Sequence, residues 1–325
     1  MRAIQTRCPQ EALWLREIPQ KWRDWELTQT CKNNVVVRIT ALGTDKVRRI
    51  YQLFPGGGGA QFGVHNCDVH TTLRGLIERV FCDKGEDGNY RIIPRPNTNH
   101  VRRMLTVQRN ALLRCSKPVT RMSYSDFCQS YSGRRRTLYE NALATLSVSP
   151  VSERDGKLTS FVKAEKLNLT AKADPSPRMI QPRSVRHRLA LGVYTKPLEG
   201  MLFEAIDRLC GCKTVMKGLN ADQRGAAISS AWAKFSKPRW VGLDVSRFDA
   251  HVCAGLLELE HSVYLACFKG NKELARLLQM QLSNCGIVIC PDGVIRYRVH
   301  GERMSGDMNT ALGNVIIMIL ALRTY

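Results

Sequence analysis

Two carboxylates five positions apart, Asp244 and Asp249, sit in the string Asp244-Val245-Ser246-Arg247-Phe248-Asp249. A second string, Ser305-Gly306-x-x-x-Thr310-x-x-x-Asn314, begins 61 positions after Asp244. A carboxylate at the carboxyl end of a strand is a hard-oxygen ligand suited to Mg²⁺. Ions held this way lower the pKa of an attacking hydroxyl and stabilise a departing pyrophosphate in phosphoryl transfer. Asp249, past a turn, reaches beyond such an ion toward a sugar. Taken alone, Asp-x₄-Asp is better read as an acidic loop in which Asp249 caps the next helix. In the second string, Ser305-Gly306 opens a tight turn where glycine permits close backbone approach. Thr310 and Asn314, four apart, share one helix face. Hydroxyl and amide groups there suit a 2′-hydroxyl, the group that separates RNA precursors from DNA precursors. Taken alone, this string is a serine cap followed by ordinary helix-face polar residues. Both strings in this order favour the chemical reading.

These residues need elements to position them. Trp240–Leu243 predicts a short apolar strand that opens into Asp244. Helices are predicted over Ala254–Phe268, Lys272–Ser283 and Asn309–Leu322. Asp-Gly in Pro291-Asp292-Gly293, between the apolar runs Ile287–Cys290 and Val294–Tyr297, predicts a hairpin. Upstream, Leu73–Val80 reads as a helix and Tyr90–Ile93 as a strand. Pro94, Pro96 and the polar run Asn97-Thr98-Asn99 read as a loop. Ser123–Leu146 predicts one or two helices carrying Arg134, Arg135 and Arg136. Lys157–Ala164 and Arg178–Gln181 read as extended, and Arg186–Leu209 as a helix interrupted at Pro197. Nearer the start, Glu11–Arg23 has weak helical periodicity and Asn34–Ile39 reads as a strand. The tract Pro55-Gly56-Gly57-Gly58-Gly59 lacks the Gly-Lys-Ser/Thr of a phosphate-binding loop and reads as a linker.

Composition bounds the partners. The 325 residues are 44% hydrophobic, enough for a core of about two domains. The formal net charge is +21, a field that attracts polyanions such as RNA, DNA or anionic membrane surfaces. From Trp240 to Tyr325 the chain carries eight basic and eight acidic residues, so the excess lies entirely upstream. The twelve cysteines are scattered, which fits reduced thiols better than a disulfide framework. The longest apolar run, Val315–Leu322, is eight residues, short of the roughly 20 a membrane-spanning helix needs. No secretory leader is expected.

The string Leu243-Asp244-Val245-Ser246-Arg247-Phe248-Asp249-Ala250-His251-Val252 is similar to motif A of the RNA-directed RNA polymerases of the Tombusviridae, and the second string is similar to their motif B. Phe161-Val162-Lys163-Ala164-Glu165-Lys166 and Pro177-Arg178-Met179-Ile180-Gln181-Pro182-Arg183-Ser184 resemble motif F. Phe62–Asn66, Gly75–Phe81 and Gly133–Arg136 with Tyr139 also resemble segments of that family, and the likeness covers roughly residues 50–325. It implies an α+β right-hand polymerase fold with fingers, an incomplete palm and no thumb. The implied divisions are an N-terminal extension (1–50), fingers including the fingertips and motif F (51–238), and a partial palm with motifs A and B (239–325).

The same resemblance implies roles. Asp244 is the catalytic metal ligand for Mg²⁺, with Mn²⁺ as an alternative. Asp249, Ser305 and Asn314 recognise the ribose, and Thr310 supports them. Lys163, Lys172, Arg178 and Arg183 line the nucleotide tunnel, where cationic groups meet triphosphate oxygens. Arg134, Arg135 and Arg136 contact RNA phosphates. Expected partners are a viral RNA template, nascent RNA, nucleoside triphosphates and an auxiliary viral replication protein. The expected location is the host cytoplasm, at membrane-associated replication complexes reached through partners. The family's Gly-Asp-Asp motif is not found in the 325 residues. The expectation is therefore an amino-terminal portion of such an enzyme, inactive alone, with a non-catalytic RNA-binding fragment as the alternative. Asp249 together with Asn314 argues against a reverse transcriptase or DNA polymerase. His65, Cys67, His70 and Cys82 do not have the spacing of a structural zinc site. Cys210-Gly211-Cys212 is too tight for a redox pair, and neither His251 nor His261 has a nucleophile assigned to it.

Overall fold

Local sequence chemistry sets most element boundaries in this computed structural model, which describes residues 2–4, 34–39, 48–52, 59–85 and 88–325. The helix expected over 11–23, the glycines at 56–58, Cys8 and Cys31 lie outside the described residues. Strands β1 (Arg2–Ile4), β2 (Asn34–Ile39), β3 (Ile50–Gln52) and β4 (Phe62–Gly63) precede helix α1 (Val69–Leu76). Asp68 caps α1 by accepting from the Thr71 amide at 2.6 Å. The helix then widens into a π-turn over Ile77–Phe81 before β5 (Cys82–Lys84) and β6 (Tyr90–Ile92). The polar run at 97–99, expected to be a loop, instead starts α2 (Thr98–Cys115). Asn97 Oδ1 accepts from the amides of Asn99 and His100 at 3.1 and 3.2 Å, so the run is a helix cap.

Helices α3 (Tyr124–Gln129) and α4 (Gly133–Val148) follow, then the short strands β7 (Leu158–Thr159), β8 (Phe161–Val162), β9 (Leu167–Asn168) and β10 (Met179–Ile180). Helix α5 (Val185–Cys210) runs through Pro197 without the expected interruption. Proline has no N–H for the carbonyl four residues back. That carbonyl, on Val193, accepts from the Met122 amide at 2.9 Å, so the polar group is satisfied and the helix continues. Next come α6 (Ala221–Trp232), α7 (Phe248–His251), α8 (Ala254–Cys267), α9 (Lys272–Gln279), β11 (Ser283–Cys290), β12 (Gly293–His300) and α10 (Thr310–Thr324).

The expected hairpin is present and longer than its apolar runs. β11 and β12 pair antiparallel from Ser283 opposite His300 to Cys290 opposite Gly293. They form the centre of a four-stranded sheet in the order β2-β12-β11-β7, with β7 parallel to β11. Burial alternates along both hairpin strands, which places Val288, Ile295 and Val299 in one core with Leu76, Phe81, Leu158 and Val162. A second core joins α2, α5, α8, α9 and α10 through Leu112, Leu189, Leu198, Tyr264, Leu278 and Ile316. This core contains residues on both sides of position 239, so α10 and α5 rest on shared packing.

The strand expected at Trp240–Leu243 does not form. Among the described residues no strand pairs with it, and Trp240, Val241 and Leu243 are about 70% exposed. A strand without a ladder partner has no hydrogen bonds to hold it extended. Ten described cysteines are free thiols, four of them buried. No helix among the described residues is long and apolar enough to cross a membrane.

Candidate active site

Asp249 is carried on α7, which a strained turn introduces. Arg247 adopts the left-handed conformation (φ 51°), and its guanidinium donates to the Cys82 carbonyl at 3.2 Å and to Asp83 Oδ1 at 2.9 Å. This anchor fixes where Asp249 points. Ser305 lies on the loop between β12 and α10, and Asn314 lies one turn into α10. Ser305 Oγ donates to Asp249 Oδ2 in a short contact, and Asn314 Nδ2 donates to Asp249 Oδ1 at 2.8 Å. Three residues from two distant strings therefore meet on one carboxylate. Gly306 shows why the loop can come so close. Its φ is +125°, and a Cβ there would stand 3.1 Å from the Pro182 backbone nitrogen. The Gln181 amide also donates to the Ser305 carbonyl at 2.7 Å, so the loop is strapped to the strand β10 segment.

Asp249 and Ser305 open on a cavity of about 290 Å³ whose lining cations are Arg79, Lys163, Arg178, Arg247 and Arg303, with Glu302 on its acidic side. Strand pairing aligns two of the cations: the Lys163 amide donates to the Arg178 carbonyl at 2.8 Å. Glu165 sits between their side chains, 3.0 Å from Lys163 Nζ and 3.5 Å from Arg178 Nε. Arg79 projects from the π-turn; its Nε is buried without a hydrogen-bond partner. Burial, and then the neighbouring guanidinium groups of Arg178 and Arg247, pull its pKa below the ordinary value. An anion in the cavity would relieve both penalties. Glu302 is buried with one oxygen unpartnered, and burial pushes its carboxyl up to about 8 against the opposing pull of Arg95.

Asp244 does not line that cavity with Asp249 and Glu302. It is exposed, and it lines a neighbouring, largely apolar cavity of about 470 Å³ together with Asn314. A divalent ion is the cofactor the resemblance implies. Both Asp249 oxygens are engaged, and among the described residues no three His, Cys, Asp or Glu side chains converge. One free carboxylate at Asp244 fits a Mg²⁺ that keeps its waters and takes its other ligands from substrate phosphates.

Three expected site residues lie elsewhere. Arg183 is a correction: its side chain is fully buried and does not line the cavity. Its guanidinium donates to Asp307 at 2.8 Å, to the Gly156 carbonyl at 2.5 Å, to the Met280 carbonyl at 2.9 Å and to Asn284 Oδ1 at 2.5 Å. Every donor direction is used to hold the chain together, and none faces a triphosphate. Thr310 touches neither Asp249 nor the cavity. Its Oγ1 donates to the Met304 and Asp307 carbonyls at 3.1 and 3.0 Å and closes the loop that presents Ser305. Lys172 is exposed in the turn after β9, away from the cavity wall. Arg134, Arg135 and Arg136 are exposed at the start of α4; Arg136 pairs with Glu140 at 2.7 Å, and Arg135 covers the Tyr131 ring. Arg79, Arg247, Glu165 and Glu302 were given no role from the sequence, although Arg247 lies inside the first string and Glu165 and Arg79 lie in the segments 161–166 and 75–81 quoted above.

A carboxylate engaged by Ser305 and Asn314 thus stands beside a cavity wall of cationic side chains. The family described as viral RNA dependent RNA polymerase matches residues 35–325, and the chain belongs to that family. It is 43% identical over 287 residues to the RNA-directed RNA polymerase of Turnip crinkle virus, covering 87% of this chain and 36% of that protein. The RNA-directed RNA polymerase of Carnation mottle virus is also 43% identical, over 277 residues (85% of this chain, 36% of the other). The corresponding protein of Tomato bushy stunt virus (strain Cherry) is 42% identical over 280 residues (86% and 34%). The chain thus spans little more than a third of the length of these curated relatives.

Proposed function

We propose that this chain selects ribonucleotides for RNA-templated RNA synthesis in viral genome replication. The observation that carries this reading is the Asp249 carboxylate, held by Ser305 and Asn314 at the edge of a cavity lined by five cations. In this reading residues 1–50 are an extension, 51–238 form fingers and 239–325 form part of the palm of a right-hand polymerase. Lys163, Arg178, Arg79 and Arg247 hold the triphosphate of the incoming nucleotide. Asp249, Ser305 and Asn314 read its sugar hydroxyls. Asp244 would hold Mg²⁺, or Mn²⁺, which when bound lowers the pKa of the attacking 3′-hydroxyl and offsets charge on the departing pyrophosphate. The protein's own contribution is positioning and fixed charge. RNA template, nascent RNA and nucleoside triphosphates are the partners. An auxiliary viral replication protein would bring the enzyme to membrane-associated complexes in the host cytoplasm.

The test is Asp244→Asn in the full-length polymerase. RNA synthesis is expected to fall by at least about 100-fold, the scale of losing a group that acts in the transition state. RNA affinity is expected to stay near that of the parent. A parallel loss of RNA binding would make Asp244 a structural residue and defeat its assignment.

A further inference from the structure

We propose that Arg303 is a positioning residue for ribose selection: one hydrogen bond from its guanidinium fixes the orientation of the Asn314 amide. This rests on the sugar-reading role proposed above for Asn314. A side-chain amide is nearly symmetric in shape, and rotation by half a turn exchanges its donor and acceptor. With oxygen toward Asp249, Asn314 would set two acceptors against each other. Arg303 decides the matter because guanidinium nitrogens only donate. Its Nε lies 3.1 Å from Asn314 Oδ1, which leaves Nδ2 facing Asp249 at 2.8 Å. The second Nδ2 hydrogen is then available to a sugar hydroxyl. The Arg303 amide also donates to the Asp249 carbonyl at 2.9 Å, so one residue holds both members of the pair.

Arg303 is itself locked from behind. It forms a short ion pair with Glu260, and the two side chains are 1% and 0% exposed. Glu260 Oε1 also accepts from Tyr264 at 2.6 Å and from Asn309 Nδ2 at 2.8 Å. Gly313 lets α10 lie on this pair; a Cβ there would come within 2.3 Å of Glu260 Oε1. A buried ion pair is a poor device for stability, because apolar replacements of similar volume are often neutral or better. It is an effective device for holding a donor in one place, and this pair aims its donor at Asn314.

The experiment measures kcat/KM for a ribonucleotide and its 2′-deoxy counterpart with the full-length polymerase. Arg303→Lys keeps a cation against Glu260 but loses the Nε donor. The ribo-to-deoxy ratio is expected to fall about fivefold to tenfold, the size of one hydrogen bond, chiefly through a raised KM for the ribonucleotide. Asn314→Ala, run alongside, is expected to lower the same ratio. If Asn314→Ala leaves the ratio intact, the sugar-reading role itself is wrong. If Asn314→Ala lowers it while Arg303→Lys leaves it unchanged, or lowers both efficiencies in parallel, Arg303 is only structural and the proposal is overturned. Should Arg303→Lys fold poorly, Glu260→Gln loosens the same donor with little change of shape. A selective fall in the ratio then supports the proposal, and a parallel fall or an unchanged ratio refutes it.

Discussion

A single buried carboxyl group dominates the pH behaviour expected of this site. Glu302 is held in the left-handed conformation (φ 64°) just past β12, with its side chain 1% exposed. Arg95, a third exposed, approaches Oε1 at 2.5 Å, yet burial outweighs it and lifts the carboxyl to about 8 from an ordinary 4.5. Between those two values the native state keeps a proton that the unfolded chain has released. Stability from this group is complete below about pH 4.5 and is lost as pH rises through 8. Each tenfold difference in proton affinity between the two states is worth about 1.4 kcal/mol, so the loss is on the order of a few kcal/mol. Glu302→Gln keeps the shape and removes the titration. Urea unfolding at pH 5 and pH 8.5 should therefore show the parent losing more stability than the variant. Equal losses in both would mean that Glu302 is ionised throughout and that Arg95 governs it.

At the scale of elements, the β11–β12 hairpin is the frame on which the Ser305 loop hangs, and its tightest point is Gly286. A Cβ there would stand 2.2 Å from the Tyr297 ring, whose hydroxyl meets Ser160 at 2.7 Å and Gln181 at 2.8 Å. Gly286→Ala must push that ring away and break a buried polar junction, at a cost of about 1–3 kcal/mol. Adding Tyr297→Phe should cost less in the Gly286→Ala background than in the parent, because the two share one junction. Strict additivity in urea unfolding would disprove the coupling. The hairpin was legible in the sequence because Asp-Gly between apolar runs is a local signal. The strings that hold Asp249, Ser305 and Asn314 were singled out in the sequence, but the meeting of the three side chains is seen only in the fold, because 56 and 65 positions separate Asp249 from its two partners. Arg183 was misread because a basic residue in a motif string looks the same whether it meets a ligand or a buried partner. What decides is Asp307, 124 positions away. Pro197 was misread for a similar reason, since the Met122 amide that satisfies Val193 belongs to another segment. The α6 helix was missed although Asn220 and Gln223 form a capping box that is visible as a four-residue pattern.

Over the whole molecule the charge is divided rather than spread. The +21 lies upstream of Trp240, and the segment carrying Asp244 and Asp249 is neutral. A polyanion should therefore be gripped chiefly by the first part of the chain. The exposed start of α4 is proposed as one such grip: Arg134, Arg135 and Arg136 sit together there, and Glu140, the partner of Arg136, is solvent-exposed. Each phosphate contact to a single strand contributes about 0.7 to the slope of log affinity against log salt. Replacing all three arginines by alanine should flatten that slope by up to about two units and weaken binding alike for unrelated RNA sequences. The measurement is fluorescence anisotropy with labelled single-stranded RNA across a KCl series. Asp244→Asn belongs in the same series as the opposite case, since it lies in the neutral segment and should leave the slope where it was. A triple variant with weaker binding but an unchanged slope would mean that these arginines support the fold of α4 and touch no phosphate. The grip would then have to lie on the other cations upstream of Trp240.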